Sequence, residues 1–180
     1  MIYHLIVLLA SALAIFWGFR RGMVRMVPSA IGIAFGVICA RIFAPPLEDV
    51  LKDTFPGAVD TIYENFYYDS ISTFIIFFIA YFLFKLPFMF LGRLLFGGDW
   101  TILNNIAGAI FSLFKVLFGI SMVFNLLVAT NHKSPLLKTV KSDDGNVVQG
   151  VMLISPSILG GEDVIELSHK IQLEEAKKIS

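Results

Sequence analysis

Charge is scarce in this sequence. Of its 180 residues 16% are Asp, Glu, Lys or Arg, and 14 basic residues offset 14 acidic ones to a formal net charge of zero. Soluble domains carry about 25% charged residues, so this chain is poorly suited to water. A balanced total also leaves no electrostatic footprint for nucleic acid, and no nucleic-acid partner is expected.

Cysteine is scarcer still. Cys39 is the single one, which excludes an internal disulfide and a cysteine-based metal cluster. His4, His132 and His169 are scattered without the spacing of a helical metal motif. GxSxG, GxxxxGK[ST] and HExxH are all missing, and dispersed Ser, His and Asp residues do not make a triad. The expectation is therefore a protein without catalytic residues, metal or cofactor.

What the sequence has in abundance is apolar residues, at 57% with 18 phenylalanines, and a mean hydropathy of +0.79. They gather in long blocks, and about 20 apolar residues in a helix match the roughly 30 Å hydrocarbon layer of a bilayer. Four blocks qualify, over residues 2–19, 23–43, 71–90 and 102–129. The expected fold is all-α, a polytopic membrane protein with four spans in residues 1–130, surrounded by the lipid bilayer. Residues 131–180 are expected to form a short, polar, soluble tail, with an amphipathic helix within 161–180.

The first block is followed, not preceded, by positive charge, so it is read as an uncleaved span. Pro28 is tolerated near the start of the second block, and Pro45 and Pro46 are expected to end it. Residues 47–69 hold Glu48, Asp49, Asp53, Asp60, Glu64 and Asp69 against Lys52 alone, which reads as a water-exposed connection. Tyr63, Phe66, Tyr67 and Tyr68 suit the headgroup layer before the third span. Lys85 and Pro87 interrupt the far end of that span, and Gly97, Gly98 and Asp99 form a short loop beyond Arg93.

Arg20, Arg21 and Arg25 flank Gly22 in the shortest loop, and basic residues near span ends mark the cytoplasmic side. Alternation then puts both termini on the outer side. Lys133, Lys138 and Lys141, close to the fourth span, are the competing signal. Arg41 and Lys85 read as interface anchors whose charged heads reach the polar layer.

Two small-residue faces stand out. Gly32, Gly36 and Ala40 recur every fourth residue, an arrangement that lets helices approach closely, either within the chain or between copies in a homo-oligomer. In the fourth span Gly108, Ser112, Lys115 and Gly119 share a face. A lysine at the centre of a span costs about 2.5–3.5 kcal/mol on insertion scales, so Lys115 should point into protein or water. It either contacts an anion or relays a proton in a polar cavity with Ser112, or it bonds helix carbonyls and reaches toward an interface.

The run Trp17-Gly18-Phe19-Arg20-Arg21-Gly22-Met23-Val24-Arg25, followed by Gly32 and Gly36, resembles the start of the colicin V production protein (CvpA) family. Leu103-Asn104-Asn105-Ile106-Ala107-Gly108-Ala109-Ile110-Phe111-Ser112-Leu113-Phe114-Lys115 resembles that family's fourth span, with Ser112 where a second glycine is common. The resemblance covers residues 1–131. It implies a multi-pass protein of the bacterial inner membrane that takes part in production or secretion of a peptide toxin and in envelope maintenance, alongside secretion or envelope proteins. It also implies that Arg20, Arg21 and Gly22 form the cytoplasmic turn, and Gly108 with Lys115 the packed bundle face. The rivals are a small channel or transporter built on Lys115 and a membrane-bound enzyme, for which no constellation of acidic or histidine residues is in view.

Overall fold

The computed structural model describes residues 2–56, 61–95, 102–130, 136, 146–161 and 164–179, and among them there is no strand. The helices are α1 (Ile2–Arg21), α2 (Val27–Thr54), α3 (Thr61–Leu95), α4 (Ile102–Thr130), α5 (Asn146–Leu159) and α6 (Val164–Ile179), with a 3-10 turn, Val24–Met26, ahead of α2. The first four are long and apolar enough to cross a membrane. Their outer faces carry exposed Leu5, Leu9, Phe16, Ile38, Phe82 and Ile110, which a lipid solvent accepts and water does not.

Packing does not follow chain order. α1 packs on α4 and α2 on α3, while α3 and α4 join the two pairs. Both pairs are antiparallel: Gly18 meets Gly108 while Tyr3 meets Phe124, and Gly32 lies beside Lys85 while Gly36 lies beside Phe77. Phe77 anchors the α3–α4 junction, edge-on to Phe118 with ring centroids 5.3 Å apart.

Pro45 and Pro46 do not end the second helix, which runs on to Thr54. Each proline removes one backbone bond, freeing the carbonyls of Arg41 and Ile42. At 28 residues α2 is about 42 Å long and at 35 residues α3 about 52 Å, against a hydrocarbon layer of roughly 30 Å. Most of the acidic stretch is thus helix that overruns the membrane, not an open connection. Lys52 fastens the two ends, bonded to Glu48 at 2.7 Å within α2 and donating to Asn65 Oδ1 of α3 at 3.0 Å. Lys85 and Pro87 likewise lie inside α3 rather than interrupting it.

The aromatic girdle expected at residues 63–68 is part of the core instead. Phe66 is 1% exposed and Tyr68 2%, and the Tyr68 hydroxyl donates to the Phe55 carbonyl. Phe66 is covered by α5 and α6, and Tyr68 is held against the end of α2.

That cover is the main departure from a polar tail. α5 is apolar, too short at 14 residues to span, and packs antiparallel on the second half of α4. Val148 and Met152 are fully buried, and Leu159 reaches the cluster of Ile33, Phe77 and Phe118. The chain turns back at Gly160 and Gly161, both at positive φ, into α6, whose Val164, Leu167 and Ile171 pack around Phe66. The loop at Gly97, Gly98 and Asp99, acidic Asp60, the tail lysines Lys133, Lys138 and Lys141, His132 and Gly145 lie outside the described residues.

Candidate functional site

The α1–α2 turn is built by glycine and closed by an asparagine. Gly22 adopts φ +71°, a left-handed conformation that side chains disfavour, and a Cβ there would collide with the Asn104 side chain. Asn104, in the first turn of α4, accepts from Met23 N–H at 2.9 Å through its carbonyl and from Val24 N–H at 3.0 Å through Oδ1. The turn carrying Arg20, Arg21 and Arg25 is therefore locked to α4. Arg20 and Arg21 lie over the rings of Phe16 and Trp17, at 5.5 and 5.8 Å.

Beside this lock α1 and α4 make their closest approach. A Cβ on Gly18 would stand 2.5 Å from the Gly108 carbonyl oxygen and from Ser112 Cβ, and one on Gly108 would stand 2.6 Å from the Gly18 oxygen. The sequence places Gly108 and Ser112 on a packed face, and they occupy one. Its counterpart, Ala14-Gly18-Gly22, was not singled out, although it carries the same four-residue spacing of small residues. Gly119 does not belong to this contact, since a Cβ there would meet nothing within 4 Å.

The face of Gly32, Gly36 and Ala40 is filled from within the chain. A Cβ on Gly32 would lie 3.0 Å from Tyr81 and 3.1 Å from Lys85 Cβ, one on Gly36 2.8 Å from the Phe77 ring, and Ala40 is 1% exposed. Close packing inside the monomer thus occupies this face at Gly32 and Gly36.

Lys115 lies on α4. It is partly buried, and Tyr81, Lys85 and Arg21 are near enough to act on it electrostatically. Lys85 places its ammonium 4.8 Å from the centroid of the Tyr81 ring. Among the described residues no carboxylate reaches ion-pair distance of any of these three cations. Lys115 is thus a partly buried cation on a spanning helix with further cations on α1 and α3 in its electrostatic surroundings. Arg41, expected as an interface anchor, is exposed, and its Nε donates to the Ile158 carbonyl at 2.8 Å, capping the end of α5.

A second polar group seats α5, and sequence reasoning did not find it. Pro156 has no N–H to give to the Met152 carbonyl one turn earlier. That carbonyl instead accepts from Asn125 Nδ2 at 2.8 Å and Ser121 Oγ at 3.0 Å, while Ser121 Oγ accepts from Ser155 N–H at 2.8 Å. Serine and asparagine one turn apart in a hydrophobic span were the signal, since buried polar groups need partners.

These features define a multi-pass helical membrane protein with polar groups held between its helices. Within that class the chain belongs to the Colicin V production protein family, whose model matches residues 3–143 and so covers all four spans. α5 and α6 follow the matched region. Comparison with curated proteins and with solved structures found no match.

Proposed function

We propose that this protein acts in the bacterial inner membrane as a non-catalytic component of peptide-toxin production or secretion and of envelope maintenance, working beside secretion or envelope proteins. The observation that carries this reading is the family match across the whole four-span bundle. The rigid glycine contacts and the Asn104 lock support it, because they suit a scaffold that presents fixed surfaces to partners. In this reading the Arg20, Arg21 and Arg25 turn faces the cytoplasm and both termini face outward.

Deletion of the gene in a toxin-producing host, with toxin measured separately in cells and medium, tests it. Loss of extracellular toxin with retention inside, restored by the intact gene, is the expected result. Unchanged export together with unchanged tolerance of envelope stress would contradict it.

A second reading is a small conduit for anions. It is favoured by Lys115, a partly buried cation on a spanning helix with no described carboxylate at ion-pair distance.

A further inference from the structure

We propose that the cavity where the α5–α6 turn meets α3 binds a small monovalent cation, sodium by size. The cavity is about 20 Å³ in volume; Asp69, Ser70, Thr73, Asn125, Ser155 and Gly160 form its polar side, and Phe74, Met122, Pro156 and Leu159 its apolar side. A single water-sized body needs roughly 10–15 Å³ of such space, so one small guest fits and a larger one does not.

The sign of the guest follows from the wall. Asn125 Nδ2 donates to the carbonyls of Ser121 and Met152, groups that only accept, so chemistry fixes which way the amide faces. Oδ1 is the atom left over. Asn125 is 5% exposed, and among the described residues this oxygen accepts no hydrogen bond. Buried acceptors are ordinarily satisfied, and the residue carrying this one lines the cavity.

Asp69 brings a formal negative charge to the same wall. Its carboxylate lies against Gly161, where a Cβ would collide with it, so the turn closes directly over the acid. Asp69 has interactions of its own, and the site needs its charge rather than its freedom. α5 also ends here, and a helix C-terminus carries a partial negative charge of about half an electron. Arg41, which takes the Ile158 carbonyl, does not line the cavity. The hydroxyls of Ser70, Thr73 and Ser155 add oxygens to the polar side, that of Ser155 also accepting from Asn125 Nδ2 at 3.5 Å.

The number of charges selects the class of ion. Among the described residues lining the cavity Asp69 is the single carboxylate, whereas calcium and magnesium sites draw on more acidic oxygens or retained waters. No three His, Cys, Asp or Glu side chains converge among the described residues in the manner of a transition-metal site. The site lies where the polar start of α3 gives way to its apolar stretch at Ile71, within reach of water. A bound ion would tie the Gly160–Gly161 turn to α3 and α4, making docking of the α5–α6 hairpin sodium-dependent.

The test uses the purified full chain in detergent. Thermal unfolding is followed as sodium chloride replaces choline chloride at constant ionic strength. A ligand that binds only the native state raises Tm in a saturable way, and that rise is expected with sodium. Thr73→Val, which removes a hydroxyl while keeping the side-chain shape and breaks none of the hydrogen bonds described above, is expected to raise the sodium midpoint about tenfold, the effect of one lost ligand. Asp69→Asn is expected to abolish the response. Equal Tm in sodium and choline would overturn the proposal and leave water as the guest. A sodium response unchanged in Thr73→Val would overturn it equally, and that variant serves even where Asp69→Asn does not fold. Because the readout is stability of the isolated protein, failure here leaves the role in toxin production untouched.

Discussion

Gly18 and Gly108 meet backbone to backbone, each in the position where the other's side chain would have to be. A Cβ on Gly18 would stand 2.5 Å from the Gly108 oxygen, and one on Gly108 2.6 Å from the Gly18 oxygen. Contact this close replaces the hydrophobic drive that lipid does not supply, because packing is what holds membrane helices together. Gly108→Ala should therefore destabilise the bundle by about 1–3 kcal/mol, the usual cost of overpacking, and Gly108→Leu by more. Gly119→Ala on the same helix should be neutral or slightly stabilising, since its side chain enters open space. Unfolding titrations of the three variants in mixed micelles compare them directly.

The turn that bears the arginines depends on one asparagine. Asn104→Leu removes the side-chain acceptor for Val24 N–H and is expected to cost about 1–2 kcal/mol. Gly22→Ala should cost at least as much, because it combines positive φ with a collision against Asn104. Faster hydrogen exchange confined to residues 22–26 is the signature of a loosened turn.

Asn125 holds α5 through a carbonyl that Pro156 leaves open. Asn125→Leu should release the helix, leaving the Met152 carbonyl with Ser121 as its sole side-chain donor and forfeiting about 1–3 kcal/mol. Limited proteolysis should then cut between α4 and α5 at lower protease concentration than in the parent, with α1–α4 intact. Equal protection of parent and variant would show that apolar contacts of Val148 and Met152 alone hold α5 in place.

Gly36→Leu tests which surface the second span uses. The Phe77 ring already occupies that space, so the variant should lose stability by 2 kcal/mol or more on the scale of about 1–3 kcal/mol for overpacking. Cross-linking in native membranes should change only as far as folding does. A stable variant that lost a cross-linked dimer would instead make this face an interface between copies.

The four spans were legible because long apolar blocks have few alternatives, and the faces of Gly108 with Ser112 and of Gly32 with Gly36 followed from a four-residue spacing. Three things were not legible, each for a physical reason. Pro45 and Pro46 signal a helix end only where the freed carbonyls must be satisfied internally, and the overrunning end of α2 escapes that demand. α5 is too short for hydropathy to separate from a loop, and its seat depends on Ser121 and Asn125, 27–34 residues away in sequence. Phe66 and Tyr68 carry the composition of an interfacial belt, and only the unforeseen α5–α6 hairpin around Phe66 and the overrunning end of α2 beside Tyr68 make them core.

Purified protein in sealed liposomes, challenged in turn with small anions, small cations and peptide, separates an accessory role from a conduit. Lys115→Ala is the matched control, because it removes the partly buried cation of α4. The non-catalytic accessory reading predicts flux at background for every solute, and the same for Lys115→Ala. Flux of a defined solute that Lys115→Ala abolishes while the fold is retained would contradict it.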